Sequence, residues 1–158
     1  LEKFLRRYER KLLDEHIRLI ISGELSAIGE KLRRRSLSVI GHTKDFCGKT
    51  LNIAINYGGR AEIVRAASIL AENGEEITEE GISAHTYTAG LPDIDLVVRT
   101  SGEARLSNFF LWQCAYAELY FTDTLWPDFD KAELKKALDW FAGRKRRFGN
   151  IDEGNNNG

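Results

Sequence analysis

The chain has 158 residues, which suits one compact domain with an ordinary buried core. Its 23 lysines and arginines are balanced by 24 aspartates and glutamates, and the resulting net charge of -1 argues against a general nucleic-acid binder. No apolar run reaches the roughly 18 residues of a membrane span, and no signal-peptide pattern opens the chain. Cys47 and Cys114 stand far apart without metal-ligand spacing, which favours unpaired thiols and a cytoplasmic location.

Helical and strand patterns alternate along the first half of the chain. Apolar residues at helical spacing predict a helix from 1 to about 16, and a short strand follows at 17–21. A second helix is predicted over about 29–43 and a β-rich run over 50–56. The segment 60–73 has the strongest helical pattern, and the Asn-Gly pair after it supplies a stop.

The second half of the chain continues the alternation. Thr78 is a plausible N-cap for a short helix. The remaining predicted elements are a strand at 95–100, a polar loop at 101–108, a short helix from 109, a strand near 117–122 and an amphipathic helix over 130–147. The pattern predicts an α/β fold with a largely parallel central sheet flanked by helices.

Two segments that follow predicted strands differ from ordinary connectors. In open α/β sheets, ligands bind beyond the carboxyl ends of the strands. The segment Asn-Tyr-Gly-Gly-Arg at 56–60 has glycines that allow close approach of the backbone to a ligand, although a plain turn explains the same residues. Its function stays open at this point.

The loop from Arg99 to Asn108 carries two guanidinium groups and a hydroxyl within a few residues. Arg99 stands at the strand end, Arg105 lies in the loop, and Ser107 precedes the next element. Arginines bind phosphate oxygens through bidentate, charge-assisted hydrogen bonds, so this set suits a diphosphate. A solvated loop with ion pairs to Glu103 is the alternative.

Glu118 is a carboxylate among aromatic and aliphatic neighbours, where an acid is rarely left unpaired. It could bind Mg²⁺, which prefers carboxylate oxygens together with substrate phosphates. It could equally pair with an arginine. The basic cluster from Arg144 to Arg147 complements the dipole at the end of the last predicted helix, which is a structural role.

Four stretches carry a family resemblance. They are 51–60, 95–121, 125–129 and 147–149. The longest of them closely resembles the signature region of the cis-prenyltransferases, the family that includes the bacterial undecaprenyl diphosphate synthases. The resemblance implies that 1–149 are the carboxy-terminal two-thirds of a single cis-prenyltransferase domain, truncated at its amino terminus, and that 150–158 are a disordered tail.

The resemblance also implies roles for individual residues. Arg99, Arg105 and Ser107, together with Leu106, match the residues that hold the diphosphate of isopentenyl diphosphate, and Glu118 matches a Mg²⁺ ligand. The motif Arg147-Phe-Gly149 matches the Arg-x-Gly end that reaches the partner subunit's active site in a homodimer. The implied reaction joins isopentenyl diphosphate to an allylic prenyl diphosphate and gives a cis-polyprenyl diphosphate. The resemblance implies that the protein makes at most peripheral contact with a membrane when it releases its product.

Two departures from the family pattern stand out. Ala104 occupies a position where some members have a histidine. The amino-terminal third, with its Asp-Gly-Asn phosphate loop and catalytic aspartate, is absent, and the chain contains no methionine. We therefore expect no catalytic residue within this chain and no activity from it alone.

Two alternatives are weighed against this reading. The first is a non-catalytic partner subunit of a two-component cis-prenyltransferase; the presence of Arg99, Arg105, Ser107 and Glu118 argues against it. The second is an unrelated α/β nucleotide-binding module. That fold would need a Gly-rich fingerprint between a strand and a helix, which Gly58-Gly59 does not match.

Overall fold

The computed structural model describes residues 2–144, and the chain divides after Leu91 into two compact units. The first unit alternates helices and strands. Its elements are α1 (Glu2–Asp14), β1 (Arg18–Ser22), α2 (Glu30–Thr43), β2 (Thr50–Ala54), α3 (Gly59–Asn73) and α4 (Glu79–His85), with a 3₁₀ turn at Leu25–Ala27. Strands β1 and β2 pair in parallel, from Arg18 opposite Thr50 to Ser22 opposite Ala54.

The core of the first unit lies between its ladder and helices α1 and α2. Leu5 and Leu12 from α1 meet Leu19 and Ile21 from β1 and Val39 from α2, and all five are buried. The spacing of Leu5 and Leu12 on α1 is the helical period seen in the sequence. Burial of this one face stabilises a helix whose other positions are mostly charged.

A buried hydroxyl joins strand β1 to helix α2 in that core. Thr43 Oγ1 accepts a hydrogen bond from the Leu19 amide at 3.0 Å and donates one to the Val39 carbonyl at 3.0 Å. Because Thr43 is fully buried, loss of this hydroxyl would leave the Leu19 amide without this acceptor.

The second unit has fewer regular elements. They are β3 (Leu96–Arg99), β4 (Glu118–Phe121) and α5 (Lys131–Ala142), with a 3₁₀ turn at Trp126–Asp128. The two strands pair in parallel, with Leu96 opposite Glu118 and Arg99 opposite Phe121. Asp130 caps α5, since its carboxylate accepts from the amides of Ala132 and Glu133.

The predicted α/β fold with parallel strands and helices is confirmed. The described strands pair as two-stranded parallel ladders, one in each unit, and two details differ from the prediction. The short helix predicted from Phe109 is wrong: Ser107, Asn108 and Phe110 have φ of 50°, 64° and 41°, and this left-handed backbone is incompatible with an α-helix. Helix α5 ends at Ala142, where the amide of Gly143 closes the last turn.

Both cysteines are free, as the sequence predicts. Burial, with a smaller contribution from Asp93, raises the pKa of the Cys114 thiol, so it remains protonated and unreactive. Among the helices of residues 2–144, none combines the length and hydropathy needed to cross a membrane.

Gly23 follows β1 at a point where two backbone segments touch. Its φ is 117°, and a Cβ at this position would lie 2.1 Å from the Ile55 carbonyl oxygen. Gly48 has a similar φ of 108° but open space around the position of a Cβ. Substitutions at the two glycines therefore distinguish the cost of an unfavourable φ from the cost of steric contact.

We expect Gly23→Ala to lower the free energy of unfolding by more than about 3 kcal/mol, because the methyl group meets backbone that cannot move aside. Gly48→Ala, the matched control, should cost only about 1–2 kcal/mol from the unfavourable φ. Urea unfolding followed by circular dichroism measures both. Equal losses in the two variants would show that the close approach at Gly23 is not the constraint.

Candidate active site

The loop after β3 is held by backbone hydrogen bonds to the segment after β4. The Thr122 amide donates to the Arg99 carbonyl at 2.9 Å, and the Ser101 amide donates to the Thr124 carbonyl at 2.9 Å. The Gly102 amide donates to the Thr122 carbonyl at 3.0 Å. These bonds extend the parallel ladder past its last residues and fix the direction in which the loop leaves the sheet.

A tight left-handed turn then sends the loop back over the strand end. Ser101 and Gly102 have φ of 68° and 69°. A Cβ on Gly102 would lie 3.1 Å from Asp123 Oδ1, so this position favours glycine on both grounds. The turn places the residues from Glu103 onward beside Arg99.

Glu103 brings the two predicted arginines together. Its carboxylate forms an ion pair with the Arg105 guanidinium and lies 4.0 Å from the Arg99 guanidinium. The Arg105 side chain is 65% exposed, so a ligand in solution can reach it. The sequence left open an ion pair with Glu103 as the alternative role of these arginines, and the structure contains that pair. The binding of a diphosphate by Arg99 and Arg105 therefore stays a prediction.

Leu106 and Ser107 continue this loop in a turn. The Leu106 carbonyl accepts from the Phe109 amide at 3.1 Å, and Leu106 is half-buried. Ser107 is exposed with a left-handed backbone. Its hydroxyl is open to solvent on the same loop as Arg105, as a ligand-binding role requires.

Glu118 lies at the opposite end of the ladder from Arg99. It is the first residue of β4 and pairs with Leu96, three residues before Arg99, which corresponds to about 10 Å along the strands. Its half-buried carboxylate accepts a hydrogen bond from Arg144 Nε at 3.0 Å. The ladder therefore does not bring Glu118 to the two loop arginines.

The described residues offer few donors for Mg²⁺. Within residues 2–144, no group of three or more His, Cys, Asp or Glu side chains lies close enough to hold a metal ion. Mg²⁺ bound together with substrate phosphates needs only one or two carboxylates. Glu118 supplies at most one carboxylate, and that carboxylate is paired with Arg144, so the described residues do not form a complete site.

The predicted residues Arg147 and Gly149, and the predicted disordered tail, lie outside the described residues.

A polar chain behind the loop was not predicted from the sequence. Thr122 Oγ1 donates to Thr124 Oγ1 at 3.1 Å, and Thr124 Oγ1 donates to Glu133 Oε2 at 3.1 Å. Hydrogen bonding from Lys136 is the main cause that lowers the pKa of Glu133. The Asp-x-x-Glu spacing from Asp130 to Glu133 signals a helix start, but it does not reveal that Glu133 reaches back to the loop.

The first unit has a cavity beyond the carboxyl ends of β1 and β2. It has a volume of about 330 Å³ and includes the predicted turn at 56–58 in its lining. Glu62 is 1% exposed there and accepts from the Tyr57 hydroxyl at 2.5 Å and from the Tyr87 amide at 2.7 Å. Arg65 stacks over the Tyr87 ring at 4.2 Å. Neither Glu62 nor Tyr87 was singled out in the sequence, because each contact depends on distant segments.

Comparison with known proteins identifies relatives of this chain. A family model described as "Putative undecaprenyl diphosphate synthase" matches residues 1–149. The chain is 47% identical to the isoprenyl transferase of Fusobacterium nucleatum over 150 residues, which are 94% of this chain and 65% of that relative. It is 47% identical over 154 residues to the (2E,6E)-farnesyl-diphosphate-specific ditrans,polycis-undecaprenyl-diphosphate synthase of Escherichia coli K12, covering 92% of this chain and 61% of that relative.

Solved structures give the same result. The probable undecaprenyl diphosphate synthase of Campylobacter jejuni matches with a TM-score of 0.85 and 38% identity, over 94% of this chain and 71% of its own. Lavandulyl diphosphate synthase of Lavandula x intermedia, crystallised with dimethylallyl diphosphate, matches with a TM-score of 0.87 and 36% identity, over 94% and 68%.

The chain spans 59–65% of the length of the first relatives it matches. The family model covers nearly all of the chain, and the α/β architecture agrees with the solved structures. The chain belongs to the undecaprenyl diphosphate synthase family of cis-prenyltransferases.

Proposed function

We propose that the complete protein containing this chain condenses isopentenyl diphosphate with an allylic prenyl diphosphate to give a cis-polyprenyl diphosphate. The observation that carries the proposal is the convergence of Arg99 and Arg105 on Glu103 beyond the carboxyl end of the β3–β4 ladder. A pair of arginines at this edge of an α/β sheet suits a phosphate ligand. Ser107 adds a hydroxyl donor on the same loop.

In the proposed reaction, the double bond of isopentenyl diphosphate attacks the allylic carbon as its bond to the diphosphate oxygen breaks. Loss of a proton from the isopentenyl unit then forms the new cis double bond, and inorganic diphosphate leaves. Arg99 and Arg105 hold the diphosphate of isopentenyl diphosphate in place of Glu103, so that its double bond is positioned for attack. Fixed guanidinium groups need no reorganisation as the bond forms.

Mg²⁺ is proposed as the metal of the complete protein, with Glu118 as one of its ligands. The metal would neutralise charge on the departing diphosphate. Glu118 would have to exchange its bond to Arg144 for the metal, and the remaining ligands would come from substrate oxygens and from residues outside this set.

We also propose a homodimer, which the second unit supports. Leu119 and Phe121 share one face of β4 and are both exposed. Leu134 and Leu138 stand one turn apart on α5 and are 43% and 49% exposed. Four exposed apolar side chains on adjacent elements favour burial against a second copy.

The free thiols of Cys47 and Cys114 support a cytoplasmic location for the protein.

The complete reading frame, incubated with Mg²⁺, farnesyl diphosphate and labelled isopentenyl diphosphate, should give a labelled polyprenyl diphosphate in the lipid extract. Chelation of the metal should abolish the product, and the 158-residue chain alone should make none. A folded complete protein that makes no product would instead favour the non-catalytic partner subunit.

Arg105→Ala in the complete protein should weaken the handling of isopentenyl diphosphate at least tenfold, or about 1.4 kcal/mol, because a guanidinium contact to phosphate is lost. Steady-state kinetics with varied isopentenyl diphosphate measure this loss. Lys131→Ala removes one exposed cation from α5 in the same unit and should change the kinetics less than twofold. Unchanged kinetics in Arg105→Ala would remove this residue from the site.

Glu118→Gln should raise the Mg²⁺ concentration for half-maximal rate at least fivefold, since an amide is a poor replacement for a carboxylate ligand. Arg144→Gln removes the other half of the same ion pair and is the matched control. It should leave the metal dependence unchanged or improve it. Equal shifts in both variants would mean that Glu118 acts only through its pair with Arg144.

A further inference from the structure

A carboxylate of helix α5 reaches back to the segment that holds the arginine loop. Glu133 lies in the first turn of α5, three residues after the N-cap Asp130. In a capping box, a glutamate at this position bonds to the backbone amide of the N-cap residue. Here its two oxygens are used otherwise: Oε2 accepts from the Thr124 hydroxyl at 3.1 Å, and Oε1 pairs with Lys136. The carboxylate therefore joins α5 to the chain that follows β4.

The charge on Glu133 fixes the direction of this hydrogen-bonded chain. Hydrogen bonding from Lys136 is the main cause that lowers the pKa of Glu133, so the carboxylate stays ionised and only accepts hydrogen bonds. Thr124 therefore donates to Glu133, and its oxygen accepts from the Thr122 hydroxyl at 3.1 Å. The Glu133 side chain is 19% exposed, which limits competition from water. A charge-assisted bond thus orients both threonine side chains.

The same two threonines hold the start of the arginine loop through their backbone. The Thr124 carbonyl accepts from the Ser101 amide at 2.9 Å, and the Thr122 carbonyl accepts from the Gly102 amide at 3.0 Å. Ser101 and Gly102 form the left-handed turn that leads to Arg105. Two successive hydrogen bonds therefore connect helix α5 to this turn, one through the Thr124 side chain and one through its carbonyl.

Arg105 depends on the turn more than Arg99 does. Arg99 belongs to β3 and is paired with Phe121 in the ladder. Arg105 lies six residues later, beyond the ladder, and its side chain is 65% exposed. A group that positions a substrate has to be held to within about 0.5 Å by the residues around it. The direction in which the turn leaves the ladder therefore decides where the Arg105 guanidinium lies.

Separate contacts keep α5 folded and in place on the ladder. Trp140 of α5 packs edge-on against Tyr120 of β4, with ring centroids 5.3 Å apart. The Asp130 carboxylate caps the start of the same helix. Loss of the bond between Thr124 and Glu133 therefore leaves the helix capped and packed, and the part that loosens is the segment after β4.

We propose that Glu133 is a positioning residue: acting through Thr124, it holds the turn at Ser101 and Gly102 so that Arg105 binds the diphosphate of isopentenyl diphosphate. The inference rests on the proposed function and deepens it by adding a residue from outside the loop. A glutamate that served only α5 would stabilise its first turn through the helix dipole and leave substrate binding unchanged. The two roles therefore differ in their effect on KM.

Thr124→Val in the complete protein removes the hydroxyl and keeps the shape of the side chain. We expect its KM for isopentenyl diphosphate to rise at least fivefold, while the KM for farnesyl diphosphate changes less than twofold. Glu133→Ala should give the same split, and the double variant should be no worse than either single variant, because all three break one link. Thr124→Ser restores the hydroxyl and should return the KM to within twofold of the original protein.

Lys136→Gln is the matched control, because it removes the other partner of the same carboxylate and leaves the bond to Thr124 in place. It should change both KM values less than twofold, and circular dichroism checks that each variant is folded. A fall in kcat alone in Thr124→Val, with both KM values unchanged, would show a purely structural role and overturn the proposal.

Two measurements without turnover separate this proposal from the proposed function. Hydrogen exchange of the Ser101 and Gly102 amides should be at least tenfold faster in Thr124→Val and unchanged in Lys136→Gln. Calorimetric titration with inorganic diphosphate should show at least fivefold weaker binding in Thr124→Val. Equal exchange rates and equal diphosphate affinities in the original protein and Thr124→Val would overturn the positioning role, whether or not the complete protein makes product. Product formation with unchanged KM values in the variants would overturn it too, and would leave the proposed reaction intact.

Discussion

The backbone hydrogen bonds beyond the carboxyl end of the β3–β4 ladder hold the candidate active site in place. They tie the first residues of the arginine loop to Thr122 and Thr124, which follow β4. The hydroxyl of Thr124 donates a hydrogen bond to Glu133 in the first turn of α5, which connects the loop to that helix. Arg99 is thus fixed by regular sheet pairing, whereas Arg105 depends on the turn at Ser101 and Gly102. A loop whose start is held by the sheet and whose Arg105 side chain is 65% exposed suits a site that must bind a charged ligand from solution.

Glu103 acts as an internal counterion for the two arginines until a ligand arrives. Exposed ion pairs contribute only about 0–1 kcal/mol, so replacing this carboxylate costs little. A diphosphate carries more charge than one carboxylate and offers several oxygens to the same guanidinium groups, so it competes well for them. The pairing seen here is therefore compatible with binding of a diphosphate and also prevents repulsion between Arg99 and Arg105 before it binds.

Most helices and strands could be predicted from the sequence because their apolar residues follow a clear period. Leu5 and Leu12 mark the buried face of α1 in the sequence and in the structure. The prediction of a short helix after Asn108 failed because this stretch is strongly apolar and has no helical period: Phe110 is 5% exposed, yet its backbone is left-handed. Burial without a period does not distinguish a turn from a helix. The position of Glu118 opposite Leu96 depends on strand register, which the spacing between two segments does not determine.

Strand β4 belongs to both the proposed dimer surface and the proposed active site. Leu119 and Phe121 alternate along β4 with Glu118 and Tyr120, so one face of this strand is apolar and exposed while the other carries the proposed metal ligand. Burying the exposed face against a second copy would fix β4 and, through its ladder, the start of the arginine loop. Since Tyr120 packs edge-on against Trp140 of α5, the strand and the helix would respond to such contact as one body. Association and phosphate binding would then depend on the same four-residue strand.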